Sequence, residues 1–400
     1  MNTKLLSALY AAILICALYR DLQISNVIGK EFINASTIAA SSRPLSHAAP
    51  PACTSYQLET MRFQLPPFEC LQFKKMPYQQ KCSLTRATKC PEPRWLTEHY
   101  TKQKNDMSTF LAIYVGCNKG MDAVNTLRMG SRNANIDKKV WAKTFLGGLS
   151  DHTAGVCKQE FVEQFPLSID ESIRPAEVHC IEPLPATVSQ LNQSVIELGW
   201  QTSLHVHPYV ISGENGVTMI PKATTVGVEN RGLDNFDTLC LQNHGLCTKQ
   251  MTYRLDTFMV DRVKSKGPSH ILSIDVEGYD AAVLKGGADI LHQVQYLEFE
   301  YNWMGDWKAT SLKDIIKLLN NKGFTCYWAG MNGHIWRITG CWMDHFDIKT
   351  WSNIACVNQN HSEVTSLAVT MEKMFLSTLG LNRTLQDYHS ETDKIALGIL

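Results

Sequence analysis

The sequence predicts an α/β fold with a mostly parallel, doubly wound sheet that ends in an antiparallel hairpin. From about residue 110, short apolar runs of strand length alternate with helical stretches, which is typical of βα units. Glycine or acidic residues follow several of these runs, and the last two extended segments flank a turn-rich stretch, residues 329–333. With 400 residues and 44% hydrophobic content, the chain is long enough to bury a large core.

Five apolar runs predict the parallel strands: Leu111–Val115, Val178–Ile181, Leu204–Ile211, Ile271–Ile274 and Tyr296–Phe299. Residues 281–294 read as a helix between the last two runs. A second helix begins at Ser311, with Asp314 as its predicted capping partner, and ends at Gly323. The segments Phe324–Trp328 and Ile335–Ile338 predict the antiparallel hairpin.

The N-terminus carries 15 uncharged residues, Leu5–Tyr19, between Lys4 and Arg20. This length fits a signal-peptide core or a short signal anchor, with a buried helix as the alternative. We expect an anchor in the Golgi or ER membrane with a lumenal catalytic domain, or secretion if the segment is cleaved. The predicted domains are an anchor or signal peptide (1–24), a stem with a Cys-rich segment (25–100), the α/β domain (101–358, with an insertion at 129–175), and a helical tail (359–400).

Of the 13 cysteines, Cys16 lies in the apolar run and 12 remain, an even number that permits up to six disulfides in a lumenal chain. Four candidates for oxidation precede the core: Cys53, Cys70, Cys82 and Cys90. Cys117 and Cys180 lie at strand ends and are interpreted as buried thiols. No C-x-x-C pair occurs, so a structural zinc site is not expected. Sequons at Asn34, Asn192, Asn360 and Asn382 would accept glycans in a lumenal chain.

Two features predict an adenosine-type ligand at the carboxyl ends of the strands. Gly116–Gly120 follows the first strand, where a glycine turn allows close approach to a ligand, although an ordinary tight turn is the alternative. Glu182 follows the second strand, where a carboxylate is suited to bind the two ribose hydroxyls. No G-x-G-x-x-G is present, which disfavours a nucleotide-dependent oxidoreductase.

Acidic residues also follow the fourth and fifth strands. Asp275 and Glu277 are two residues apart, so in extended chain both carboxylates would point to the same side, and Glu298 and Glu300 repeat the spacing. Four converging acids predict a site, with solvated strand ends and helix caps as the alternative. The 38 basic and 38 acidic residues balance, so a nucleic-acid partner is not expected.

These residues resemble the FkbM-type methyltransferases, most specifically in Asp275-Val276-Glu277-Gly278. The similarity covers about residues 110–357 and includes Tyr253–Phe258, Leu284-Lys285-Gly286 and Trp351-Ser352-Asn353. It implies a Rossmann-like class I fold that uses S-adenosyl-L-methionine to methylate a hydroxyl on a glycan, lipid or secondary metabolite. The chain departs from the family at Tyr114, where an acid is usual, and at Ser273, where a lysine is common.

The expected reaction, methyl transfer to a hydroxyl, assigns a role to each candidate residue. Gly116, Asn118 and Gly120 would surround the methionine portion of the cofactor and Glu182 the ribose. Asp275 and Glu277 would face the reaction centre, with Asp275 the preferred base and also a cofactor contact. Trp303 and Trp307 are candidates for stacking on a sugar, with burial as the alternative. A lumenal pseudoenzyme or binding module on the same scaffold is the alternative function.

Overall fold

The computed structural model describes residues 51–65, 91, 93–103, 106–147, 165–167, 172–222, 225–228, 239–264, 267–347, 349 and 351–380. All of them fall in one compact unit, Ala49–Leu400. The apolar run at 5–19, three predicted bridge cysteines (Cys70, Cys82 and Cys90) and two sequons (Asn34 and Asn382) lie outside the described residues. Within those ranges, no helix has the length and apolar character needed to cross a membrane.

Eleven strands are present in the described residues: β1 (Phe110–Val115), β2 (Ala176–Ile181), β3 (Leu204–His207), β4 (Val210–Ser212), β5 (Gly216–Pro221), β6 (Cys247–Arg254), β7 (Ser269–Ile274), β8 (Val294–Tyr301), β9 (Phe324–Ala329), β10 (Ile335–Arg337) and β11 (Ser352–Asn358). Eight of them form one sheet in the order β10-β9-β11-β8-β7-β1-β2-β3. Neighbours from β8 to β3 run parallel, whereas β11 pairs antiparallel with both β8 and β9. The predicted mixed α/β fold with a large, mostly parallel sheet is therefore confirmed.

The predicted third strand, Leu204–Ile211, is wrong as a single element. It divides at Pro208 into β3, which pairs with β2, and β4, which pairs with β6 in a separate three-stranded sheet. Proline has no backbone N–H to continue a ladder, so the chain turns there and changes sheet.

The nine α-helices in the described ranges are α1 (Ser55–Gln64), α2 (Arg94–Tyr100), α3 (Met121–Ser131), α4 (Lys138–Leu146), α5 (Pro185–Glu197), α6 (Leu255–Phe258), α7 (Asp280–Gly286), α8 (Leu312–Asn321) and α9 (Thr365–Thr378). Helix α8 begins as predicted, because Ser311 accepts the Lys313 N–H. The carboxylate that accepts the Leu312 N–H, however, belongs to Asp347. Gly323 follows the end of α8 with φ 95°, a conformation that glycine favours.

The compact unit extends beyond both predicted borders, 101 and 358. Met61 of α1 and Trp95 of α2 are fully buried, and the Trp95 indole donates to the Tyr296 hydroxyl on β8 at 3.0 Å. Helix α9 buries Met371 and Phe375 against the same core. Part of the predicted insertion 129–175 is also core, because Trp141 and Phe145 of α4 are buried.

Four disulfides join described cysteines: Cys53–Cys341, Cys117–Cys180, Cys240–Cys247 and Cys326–Cys356. The interpretation of Cys117 and Cys180 as buried thiols is therefore wrong, because parallel pairing of β1 and β2 brings their Cα atoms to 5.3 Å. Cys53 is oxidised as predicted, with Cys341 as its partner.

Candidate functional site

The candidate site lies at the carboxyl ends of β1, β2, β7 and β8. From β1 the chain moves outward to β2 and β3, and it later returns to build β7 and β8 on the other side of β1. Such a reversal of strand order opens a crevice at the carboxyl edge, which is where open α/β sheets bind ligands. The predicted site residues at positions 116–120, 182, 275 and 277 all follow these strands.

The two glycines of the loop have structural reasons to be glycine. Gly116 has φ 84°, and a Cβ there would lie 1.7 Å from the carbonyl oxygen of Asp275. Gly120 has φ 71°, precedes α3, and would bring a Cβ to 3.0 Å from the Trp141 ring. Their missing side chains therefore admit protein atoms, so the predicted close approach to a ligand does not explain them.

Glu182, which follows β2, binds the backbone of the glycine loop. One carboxylate oxygen accepts the Asn118 N–H at 3.0 Å and the other accepts the Leu184 N–H at 2.9 Å. The side chain is buried, and burial raises the pKa of Glu182 to about 7, assisted by the charge of Glu277 and opposed by the two N–H donors. Glu182 is thus placed at the loop, as predicted, in a site where its charge is costly unless a ligand adds donors.

Asn118 carries an unsatisfied polar atom in the same loop. Its backbone is left-handed, with φ 47°. Its side-chain Oδ1 is buried and has no hydrogen-bond partner among the described residues. A buried acceptor without a donor is uncommon in proteins, which makes this atom a candidate contact for a ligand.

The Cys117–Cys180 disulfide fixes the loop covalently. Cys117 lies between Gly116 and Asn118, and Cys180 lies two residues before Glu182. The bond therefore joins the two halves of the predicted cofactor site. No local pattern predicts this pairing, because 63 residues separate the two cysteines.

Asp275 and Glu277 do not share the extended geometry predicted for them. Strand β7 ends at Ile274, and Glu277 adopts a left-handed conformation with φ 56°. Asp275 is exposed and its N–H donates to the Val115 carbonyl at 2.8 Å, whereas Glu277 is half-buried. Burial raises the pKa values of Glu182 and Glu300, and the Glu277 charge adds to both shifts.

A further acid, Asp280, was missed by the sequence reasoning. It is fully buried at the start of α7, where it accepts the Glu300 N–H at 3.3 Å, and its Oδ2 has no partner among described residues. Burial raises the pKa values of both Asp280 and Glu300, and the Asp280 charge raises the pKa of Glu300 further. An acid at a helix start usually caps the helix, so the position of Asp280 in the chain does not predict its contact with Glu300.

The four predicted acids do not converge on one point. Glu298 accepts from the Tyr296 hydroxyl at 2.6 Å and from the Asn353 amide at 2.7 Å. It lies in register with Ser273, which in turn pairs with Tyr114. The Tyr114 hydroxyl bonds Thr126 at 2.5 Å, and burial raises its pKa. Glu298 thus belongs to a buried polar network under the sheet edge.

The two candidate sugar-stacking tryptophans differ in exposure. Trp307 is fully buried and its indole donates to the Glu300 carbonyl at 3.1 Å, so the predicted sugar contact is wrong for this residue. Trp303 is 41% exposed and stays a candidate.

The fold and the candidate site together describe an α/β protein with acidic residues at the switch point of its sheet. Residues 171–326 match the family described as Methyltransferase FkbM domain. This match confirms the predicted resemblance and supports a methyltransferase. It includes Glu182, Asp275 and Glu277, whereas the loop at 116–120 lies outside it.

Other comparisons add little. No curated protein matches the chain. Among solved structures, the chain is similar to the METTL16 MTase domain, with 8% sequence identity and a TM-score of 0.30. The alignment covers 66% of this chain and spans 65% of that one. A likeness of this size carries no argument about function.

Proposed function

We propose that the protein is an S-adenosyl-L-methionine-dependent methyltransferase that methylates a hydroxyl oxygen on a glycan, a lipid or a secondary metabolite. The observation that carries the proposal is the contact between the glycine loop and Glu182, 3.0 Å from Asn118 N to the carboxylate, at the switch point of the sheet. The match of residues 171–326 to the FkbM methyltransferase domain family supports it.

The strand order supports a Rossmann-like class I fold. Strands β3, β2, β1, β7 and β8 are parallel, and β11 enters antiparallel between β8 and β9. This places the glycine loop and Glu182 on neighbouring strand ends, at the edge where open α/β sheets bind ligands.

The residues present fit this cofactor. Glu182 would accept from the ribose hydroxyls, which supply the donors that compensate its burial. Asn118 Oδ1 would accept from the ammonium of the methionine portion. Tyr114 cannot fill this role, because its side chain is uncharged and its hydroxyl is already bonded to Thr126. Gly116 and Gly120 would shape the loop around that portion without contacting it through side chains.

The chemistry requires a base near the reacting oxygen. The bound cofactor supplies an electrophilic methyl group on a sulfonium, which departs as a neutral thioether. Asp275 would accept the hydroxyl proton as the new carbon–oxygen bond forms, since it is the exposed carboxylate at the end of β7. Glu277 would keep the acceptor hydroxyl oriented, because it is a half-buried carboxylate two residues from Asp275.

We also propose that the protein works in the secretory pathway, anchored in the Golgi or ER membrane by Leu5–Tyr19 or secreted after cleavage. Four disulfides among the described residues support an oxidising compartment. The uncharged run in residues 5–19 supports entry into that compartment.

The test uses the disulfide-intact protein and S-adenosylhomocysteine in a calorimeter, beside a methyl-transfer assay on fractionated glycans and lipids. Glu182→Ala should weaken binding by about 1.5–3 kcal/mol, at least tenfold, because charge-assisted hydrogen bonds are lost. Asp275→Asn should leave binding nearly unchanged and lower turnover by roughly 10²–10⁴. Glu197→Gln, which removes an exposed charge on α5, is the control. Unchanged binding in Glu182→Ala would contradict the adenosine site.

A binding module without turnover is the second candidate. Tyr114 and Ser273 favour it, because neither carries the charge that the resemblance leads us to expect at these positions. Cofactor binding without transfer to any fraction would support this candidate, whereas labelled product would exclude it.

A further inference from the structure

Four polar side chains share one face of the sheet at its β2–β3 edge. On β2, Glu177 and His179 alternate along the strand, and on β3 His205 and His207 do the same. His179 pairs directly with His205 in the parallel ladder. Because side chains of paired residues lie on the same face, all four project together. They belong to a different part of the sheet from the acids at the ends of β7 and β8.

Three of these side chains have the donor set of a metal site. Ligand atoms of Glu177, His179 and His205 all lie within 4.8 Å of one another. The Nε2 atom of His179 is 3.8 Å from a Glu177 carboxylate oxygen. His179 is only 4% exposed, and its Nε2 is buried without a hydrogen-bond partner among the described residues. A buried ring nitrogen that lies beside a carboxylate and has no hydrogen-bond partner points to a missing ligand.

His207 contacts the His179 ring. Its Nε2 lies 2.9 Å from the Nδ1 of His179, and the two rings are stacked at 5.1 Å. A proton on Nδ1 of His179, donated to His207, leaves the lone pair of the His179 Nε2 available for a ligand, 3.8 Å from a Glu177 carboxylate oxygen. Histidines that bind metals almost always donate their other N–H in this way.

We propose that Glu177, His179 and His205 bind a zinc ion and that His207 orients the His179 ring. The fourth coordination position would be open to solvent at the sheet edge. Two imidazoles and one carboxylate are donors that zinc accepts in tetrahedral geometry, whereas calcium and magnesium prefer oxygen alone. Ligand atoms around tetrahedral zinc are about 3.4 Å apart, given bonds of about 2.1 Å. The Glu177 side chain is 47% exposed, so a small movement can shorten its 3.8 Å distance from the His179 Nε2 to this value.

The zinc site would hold β3, the strand at one end of the described sheet, against β2. Strand β3 lies at the end of the strand order and is held through β2. The His207 carbonyl accepts the Glu182 N–H at 3.1 Å, so a fixed β3 also fixes the residue after β2. We therefore assign the ion a structural role, and this role does not depend on the proposed methyl transfer.

The experiment measures zinc binding by the disulfide-intact chain carrying no histidine tag. After chelator treatment, equilibrium dialysis against zinc chloride should give one ion per chain, and zinc should raise the melting temperature. Glu177→Gln and His205→Ala, at partly exposed positions, should weaken binding at least tenfold and abolish the melting shift. His207→Ala should weaken binding about 10–100-fold, as expected for a residue that orients a ligand.

His292→Ala is the matched control, because it also removes one imidazole but lies on the exposed surface. It should bind zinc like the wild type. Cobalt substituted for zinc should give the visible bands of a tetrahedral site, and these bands should disappear in His205→Ala. Substoichiometric zinc, equal binding by His205→Ala and His292→Ala, or binding of copper but not zinc would overturn the proposal.

Discussion

Removing the Cys117–Cys180 disulfide should destabilise the protein more than removing any short-range bridge. The perturbation is the double variant Cys117→Ala, Cys180→Ala. The bond closes a loop of 63 residues, for which chain entropy predicts about 4 kcal/mol. The Cys240–Cys247 bridge closes a loop of only 7 residues, for which the same relation gives about 2.5 kcal/mol. The long bridge should therefore contribute roughly 2 kcal/mol more to the free energy of unfolding.

The assay is urea denaturation without reductant, followed by tryptophan fluorescence, on both double variants and the wild type. Peptide mapping verifies that the other bridges stay oxidised. On the proposed function, the Cys117→Ala, Cys180→Ala variant should also bind S-adenosylhomocysteine more weakly, because Cys117 lies inside the glycine loop, whereas the variant lacking Cys240–Cys247 should not. An equal or greater loss of stability in the Cys240–Cys247 variant would refute the reasoning from loop length.

Three further predictions follow from buried groups around the site. Glu182 has a folded pKa of about 7 against an ordinary 4.5, so its charge destabilises the fold as pH rises from 4.5 to 7, by up to about 3 kcal/mol. Urea denaturation should show that the free energy of unfolding differs less between pH 5 and pH 8 for Glu182→Gln than for the wild type. An identical difference in the two proteins would contradict this prediction. Trp141→Ala should cost about 3–5 kcal/mol, since the ring is fully buried and its indole donates to the glycine loop at 2.8 Å, whereas exposed Trp303→Ala should cost under about 1 kcal/mol. Gly116→Ala should lower the free energy of unfolding by about 2–4 kcal/mol, because the new Cβ would clash with the Asp275 carbonyl. Gly147→Ala should cost less, because Gly147 also has a positive φ but has no atom within 4 Å of a new Cβ. Thermal unfolding of both variants measures the difference, and equal losses would contradict the role of the clash.

Local patterns predicted much of the sheet and part of the site. The runs that became β1, β2, β7 and β8 are apolar because both faces of a central parallel strand are buried. Glu182 was located because a residue at the end of such a strand faces the crevice whatever the rest of the chain does. Strand β11 was not predicted, since its register depends on β8 and β9 together.

Conformation at single residues was harder to predict. The same-side geometry of Asp275 and Glu277 assumed extended chain, and a left-handed residue at Glu277 ended it. Tertiary contacts fixed that turn, because the Asp275 N–H bonds Val115 and a Cβ at Gly278 would collide with Met304. Such contacts come from distant segments and leave no periodic trace in the sequence.

The sequence by itself determined the α/β class, the central strands, helix α8 and the resemblance carried by Asp275–Gly278, because period, capping residues and short motifs are local properties of a chain. Only the tertiary structure decided that Cys117 bonds Cys180 and that Glu177, His179 and His205 meet across β2 and β3. Each of these meetings joins residues that lie far apart in the chain. Strand pairing and register bring them together, and neither is written in the spacing of the residues themselves.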